Sequence, residues 1–353
     1  MPRFILSGAP VEFMKLSEIL VRFGKTGIHD YSAAYGKLGA ITDDTQLTLF
    51  TAEGMLRAYV RACMRGFGPV FASVTSHAYL RWLLTQKDQP EALQGKNLTG
   101  WLIGNRELFS SRAPGNTCIA ALQAMKRLGD KAENDSKGCG GIMRVAPVGM
   151  YFACSLRDNR EKMVEQAFDT ACDLAALTHG HPTGQLTAGV FAVIVALVLD
   201  DIPLTDAIEH AKNQLRKHSD HEETLAAIEH AQRLAESNPR RPDFLRLLGL
   251  GWVAEEALAI SLYCALLAPD FESGVVLAVN HDGDSDSTGA ITGNLLGARF
   301  GVEAIPGRWL DALELREVIQ ATADDLATFP EWEVGEYENS AECDFYFKRY
   351  PGG

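Results

Sequence analysis

The sequence predicts an all-α protein folded as one domain. Three observations carry that expectation. Apolar residues recur at three- and four-residue intervals in segment after segment, as in Leu49, Ala52, Leu56, Tyr59 and Cys63. No segment shows the period-two alternation of a half-buried strand. No internal repeat divides the 353 residues, and a single large helical domain can hold that length. An apolar fraction of 46% is ample for a sizeable core and excludes a disordered chain.

Taken in order, Phe4 to Tyr35 holds one short helix near Lys15 to Phe23. The first strong helix follows Asp44 and stops at Arg65-Gly66-Phe67-Gly68-Pro69, a glycine and proline break. Ser76 to Thr85 reads as the next helix, and residues 86 to 116 as loops with one short helix. Thr117 to Leu128 is helical, 130 to 141 a polar loop, and 142 to 154 leads into helix. Glu161 to Leu177 is amphipathic and ends at Thr178-His179-Gly180-His181-Pro182. Thr183 to Asp200 is so apolar that it reads as a buried central helix; its apolar run from Ala188 to Leu199 is too short to span a bilayer.

Thr205 to Lys217 and Glu222 to Ser237 are charged surface helices. Asn238-Pro239-Arg240-Arg241-Pro242 is the best candidate linker, although short. Trp252 to Leu267, Glu272 to Val279, Thr288 to Phe300 and Leu310 to Thr328 complete the helices. The segment 331–353 is expected to wrap the surface as a tail.

A net charge of −13 argues against a general nucleic-acid or anionic-membrane binder, since both need positive surface. Seven cysteines stand at 63, 118, 139, 154, 172, 264 and 343, with no Cys-x-x-Cys pair. That pattern suggests neither a disulfide framework nor a zinc site, and a reducing cytoplasm is the expected compartment. Met1 to Leu6 is too short for the apolar core of a signal peptide.

The chemistry gathers in His281-Asp282-Gly283-Asp284-Ser285-Asp286-Ser287-Thr288-Gly289. Three carboxylates at alternate positions, spaced by small residues, suit an oxygen-ligand site for a hard cation. The same residues also suit a solvated turn in which Ser287 or Thr288 caps the following helix. An EF-hand is excluded, because its sixth position would be Ser287 and its twelfth Gly293. A second acidic cluster, Thr42-Asp43-Asp44-Thr45, precedes the long first helix. It reads either as a cap with dipole-favoured acidic residues or as the other half of a metal site.

Between them, Asp135-Ser136-Lys137-Gly138-Cys139-Gly140-Gly141-Ile142-Met143-Arg144 places three glycines ahead of a helix. Exposed backbone N–H groups there would cradle an anion. Neither a Walker loop nor a Rossmann turn fits, since the Gly-Lys-Ser/Thr and Gly-x-Gly-x-x-Gly patterns are absent.

Thr42-Asp43-Asp44-Thr45 paired with Asp284-Ser285-Asp286-Ser287 resembles the metal motifs of the ADP-ribosylglycohydrolases. The likeness runs from Gly8 to about Ala298, and implies one compact orthogonal multi-helix domain over 1–353. It implies a hydrolase that frees ADP-ribose from modified side chains, most plausibly arginine, with two divalent cations, Mg²⁺ or Mn²⁺. Thr42, Asp43, Asp44, Asp284, Asp286 and Ser287 would be the ligands, with Asp282 behind them. The glycine loop resembles the family's diphosphate- and ribose-binding loop, which implies substrate contacts at Ser136, Gly138, Gly140, Gly141 and Met143. Ser111-Arg112-Ala113-Pro114-Gly115 resembles a cleft segment, adding Gly115, and His179 resembles a residue that caps a helix or meets ligand. Arg144 would hold the loop through a buried ion pair.

Gly8-Ala9-Pro10-Val11-Glu12-Phe13 resembles the end of the family's first motif, whose preceding helix and Gly-Asp pair are missing here. Catalytic roles are therefore expected at Asp44 and Asp284, with Glu12 or Asp135 as the carboxylate partner of the attacking water. An ADP-ribosylated protein is the implied partner. The alternative class, favoured by the shortened motif, is a binding or immunity protein that neutralises an ADP-ribosyltransferase.

Overall fold

The computed structural model describes residues 8–87, 98–237 and 242–352. The chain forms α1 (Leu16–Phe23), α2 (Asp43–Arg65), α3 (Phe71–Thr85), α4 (Asn116–Ala124) and α5 (Ala146–Ser155). Then come α6 (Arg160–Ala176), α7 (Pro182–Leu199), α8 (Leu204–Leu215), α9 (Glu222–Ser237) and α10 (Ala254–Leu267). The order ends with α11 (Phe271–Val279), α12 (Ser285–Phe300), α13 (Gly307–Ala312), α14 (Arg316–Thr328) and α15 (Ala341–Arg349). The described residues contain no strand, only two isolated bridges, as the absence of a period-two pattern predicts.

The apolar run of α7 sits at the centre of the fold, against α5, α6, α8, α10 and α12. By length and composition α7 alone among the described residues could cross a membrane, yet 83% of it is buried inside this fold. Burial on all sides explains why it is apolar all round rather than on one stripe. Helix α2 packs against α3, α5, α12 and α14 and therefore buries polar residues too. Those residues are paired: Thr51 with the Tyr79 hydroxyl at 2.8 Å, and Gln46 with the Trp82 indole N–H at 3.0 Å. Gly66 ends α2 in the left-handed conformation, as the Gly-Phe-Gly-Pro break foretold.

Four expectations need correction. Helix α3 begins five residues before Ser76, at Phe71. The helix expected over Leu310 to Thr328 is two helices, broken where Leu315 takes a φ of 56°. The break has a purpose: it delivers the buried Glu314 carboxylate to the Ile41 N–H at 3.1 Å and to the Arg112 guanidinium at 3.1 Å. The segment after Pro330 is not merely a surface tail. It forms α15, stacks Tyr346 on Trp332 at 3.6 Å, and buries Tyr350 completely against Asp325. Helix α12 begins at Ser285 rather than Thr288, with consequences for the site. Residues 238–241 of the candidate linker lie outside the described residues; Pro242 opens a 3₁₀ turn.

Candidate active site

The two acidic clusters meet because each begins a helix and the two helices touch, α2 with α12. Thr42 is the N-cap of α2, and Asp43 and Asp44 form its first turn. Asp284 is the N-cap of α12: its Oδ1 accepts the Ser287 N–H at 2.9 Å, and Asp286 follows in the first turn. Two positive helix ends thus face one pocket of carboxylates. The alternate spacing of Asp284 and Asp286 is a cap followed by a first turn. Thr288 is not the cap; its hydroxyl donates back to the Asp284 carbonyl at 2.8 Å and pairs with His281 Nε2 at 2.8 Å.

Carboxylate oxygens of Asp43, Asp44 and Asp286 lie within 4.8 Å of one another, and all three residues are buried. Glu12 joins them. Gly8 presses so closely on the start of α12 that a Cβ there would lie 2.1 Å from the Ser285 carbonyl oxygen. This contact anchors the Gly8–Phe13 turn and sets Glu12, half-buried, beside Asp286, Asp284 and Asp43. The turn thus delivers its glutamate to the acids.

Burial first, and then mutual repulsion, raises every one of these acids. The Glu12 carboxyl is pushed up to about 9, chiefly by burial and then by Asp286. Asp286 is pushed up to about 7 by burial and Asp284, against the Thr42 hydroxyl, which lowers it. Asp43 and Asp44 are held well above the carboxylate range by burial and then Asp286. Asp44 Oδ1 and Asp286 Oδ1 are buried without any hydrogen-bond partner. Buried acceptors left unpaired are costly, and oxygen-only donors suit a hard divalent cation. The residues present therefore fit a metal ion at Asp43, Asp44 and Asp286.

Asp284 and Ser287 stand differently. Asp284 spends Oδ1 on the Ser287 N–H and takes the Cys139 thiol on Oδ2 at 3.0 Å. Ser287 Oγ lies 3.5 Å from Cys139 Sγ and 3.9 Å from Met143 Sδ, and its side chain also acts on the Asp284 carboxyl, lowering it. Asp282 does not back the ligands: it accepts the Leu16 N–H at 2.6 Å and so begins α1.

The glycine loop runs alongside. Cys139 N–H donates to the Trp252 carbonyl at 3.1 Å, pinning the loop to the start of α10, while neither the Gly140 nor the Gly141 amide donates to a backbone carbonyl among the described residues. Ser136 Oγ pairs with Thr117 Oγ1 at 3.2 Å, and Gly115 N–H reaches Asp43 Oδ2 at 3.4 Å. Gly115 thus borders Asp43, and Cys139 brings the glycine loop against Asp284.

His179 is not a capping residue or an exposed contact. It is 1% exposed, and the loop glycines wrap its ring, so a Cβ on Gly140 would lie 3.1 Å from its Cε1. Burial and then Arg144 push the imidazole down to about 3, so it is neutral at physiological pH. His181 is the helix cap, accepting the Thr183 N–H at 3.1 Å. Met143 is buried beside the loop, with its Sδ 3.9 Å from Ser287 Oγ. Asp135 is exposed and is not among the charges that raise the cluster acids.

Arg144 has no carboxylate partner among the described residues. It holds the loop through Thr178 Oγ1 at 2.7 Å, the Leu174 carbonyl at 3.1 Å and the Tyr79 ring at 4.4 Å. Cys139 and Glu314 are the functional neighbours that sequence reasoning missed. The pattern Gly-Cys-Gly held a signal for the first, and nothing local distinguishes the second.

Fold and site together define an all-helical protein with a buried, oxygen-only acidic centre flanked by a glycine loop. The ADP-ribosylglycohydrolase family profile matches residues 7–334. The ADP-ribosyl-[dinitrogen reductase] glycohydrolase of Rhodospirillum rubrum is 23% identical over 318 residues, 88% of this chain and 86% of that protein. The ADP-ribosylarginine hydrolase Tri1 of Serratia proteamaculans is 23% identical over 292 residues, 82% of this chain and 67% of that protein. A solved structure titled as an ADP-ribosylglycohydrolase-related protein complex superposes with a TM-score of 0.57 at 28% identity, covering 82% of each chain. This chain belongs to the ADP-ribosylglycohydrolase family and is a hydrolase that removes ADP-ribose.

The raised acids give a signed pH expectation. A carboxyl whose folded value lies above its unfolded one stabilises the fold below the ordinary carboxylate range. That contribution is lost as pH rises, through about 7 for Asp286 and about 9 for Glu12. In EDTA, unfolding free energy should fall across that window. Saturating Mg²⁺ should flatten the slope and add about 2.7 kcal/mol at a hundredfold excess over Kd. Denaturant titrations at several pH values check this; equal curves with and without Mg²⁺ would take the cation out of the site.

Proposed function

We propose that this enzyme hydrolyses the bond between ADP-ribose and an arginine side chain of a protein, using Mg²⁺ or Mn²⁺ at a two-cation centre. One observation carries the metal reading: Asp43, Asp44 and Asp286 converge with buried oxygens that nothing else satisfies. When bound, divalent cations supply Lewis-acid polarisation of oxygen at the reacting centre. A second cation would draw on Asp284, whose Oδ2 would then exchange the Cys139 thiol for metal.

The arginine reading has two supports. The Serratia relative is named an ADP-ribosylarginine hydrolase. The mouth of this site also presents the Glu12 carboxyl next to the exposed rings of Phe13, Tyr35 and Trp252, a combination that suits a guanidinium. Phe13 and Trp252 stack at 5.2 Å and so hold one wall of the mouth in place.

In the reaction, the ribose C1–N bond breaks and a water oxygen takes its place on carbon. One proton of that water ends on the released guanidine nitrogen. Glu12 is the only acid of the cluster carried on a turn at the mouth, and its raised affinity for protons suits it to move that proton. The Gly140 and Gly141 amides would receive the diphosphate. Asp43 holds Gly115 in place at the other rim.

The test is release of free ADP-ribose from an arginine-ADP-ribosylated protein, with Mg²⁺ and with EDTA, beside a serine-linked substrate. Metal-dependent release from the arginine substrate alone is expected. Release from serine alone would overturn the linkage, and undiminished release in EDTA the cofactor.

A further inference from the structure

We propose that a second pocket, between α2, α3 and the C-terminal segment, binds a small organic oxyanion: a phosphate or carboxylate carried on an apolar body. The pocket has a volume of about 480 Å³ and is lined by Arg57, Arg61, Val74, His77, Leu128 and Phe347, among others. It is distinct from the acidic site, since none of the cluster carboxylates lines it. The family profile ends at 334, so the wall that carries Phe347, Pro351 and Gly352 lies outside the matched region.

Charge makes the case for an anion. Glu53 and Arg81 form an ion pair at 2.7 Å with both side chains fully buried. That pair consumes the nearest carboxylate. Arg57, 5% exposed, stands beside the pair and is left with the Thr99 carbonyl at 2.9 Å and the Thr99 hydroxyl at 2.8 Å. Arg61 donates to the Gly352 carbonyl at 3.1 Å and lies over the Phe67 ring. Among the described residues, neither Arg57 nor Arg61 has a carboxylate within ion-pair distance. Burial, and then Arg81, push the Arg57 guanidinium down to about 10 against the pull of the Glu53 carboxylate, which is shared with Arg81. A guanidinium fork binds carboxylate and phosphate through paired N–H groups, and the apolar Val74, Leu128 and Phe347 would cover an attached ring.

The test is calorimetric titration of the full chain in EDTA with phenyl phosphate, benzoate and benzyl alcohol. Binding at the glycine loop is told apart by the Arg61→Gln and Val74→Phe variants, which leave that loop untouched and change only binding at this pocket. Saturable binding of at least one anion with a Kd on the order of 1 mM or tighter is expected, with none for benzyl alcohol. Comparing the two anions shows whether phosphate or carboxylate is preferred. Arg61→Gln should weaken binding about tenfold or more, and Val74→Phe should block it by filling the pocket. Both variants should keep ADP-ribose release, which certifies their fold. No saturation with either anion, or equal affinity in Arg61→Gln, would overturn the pocket.

Discussion

Asp44→Asn is expected to lower kcat/KM for ADP-ribose release by more than about 10²-fold, beyond the 10–100-fold typical of groups that merely support a metal site. Asp286→Asn should do the same. Both residues offer oxygens to the convergent cluster, and both hold one oxygen that no protein donor satisfies. The stability of these variants should move the other way. In EDTA the wild-type cluster is a set of buried acids raised by burial and by one another. Replacing one with an amide relieves repulsion, so the variant should be at least as stable as wild type without metal. The loss of a favourable charge at a helix N-terminus opposes this by only about 0.3–1 kcal/mol. Activity and stability changing in opposite directions is the signature of a functional cluster. An Asp44→Asn protein with wild-type turnover, or one that unfolds outright, would falsify the assignment.

Glu53→Gln is expected to cost roughly 3–5 kcal/mol of stability, the usual penalty for breaking a buried pair from one side. Glu53 and Arg81 are both fully buried, and the pair lies in the α2–α3 interface. Removing the carboxylate strands Arg81 beside Arg57, so two guanidiniums would share a buried region with no counter-charge. Arg81→Met in the same background should recover part of the loss, because it removes the stranded charge. Urea titrations of the single and double variants give the comparison. A single variant within about 0.5 kcal/mol of wild type, the range of an ordinary surface change, would show that the pair is not what holds α2 to α3.

Helices were legible because their signals are local. Gly66 with Pro69 stops α2, and three-four spacing marks its buried face. Thr42 with Asp43 and Asp44 marks a helix start, so one half of the acidic centre could be placed on its element. The other half was misplaced by one turn, since Asp284, Ser287 and Thr288 are all acceptable caps. Only the contact of α12 with α2 selects Asp284, by bringing Asp286 against Asp43 and Asp44.

What the sequence determined by itself is the all-helical class, the central α7, and the residue types of an oxygen-ligand centre with a glycine loop beside it. These follow from periodicity, capping and ligand chemistry, which act over a few residues. Tertiary structure alone decided the roles that depend on neighbours distant in the chain. It buried His179 behind the loop, left Asp135 in solvent, paired the Cys139 thiol with Asp284, and broke a helix so that Glu314 reaches Arg112. It also folded the last segment back onto α2 and α3, leaving Arg57 and Arg61 without a carboxylate partner among the described residues. Charge, burial and hydrogen-bond partners are properties of the assembled interior. No local pattern encodes them, because each depends on which distant side chain packing brings within about 4 Å.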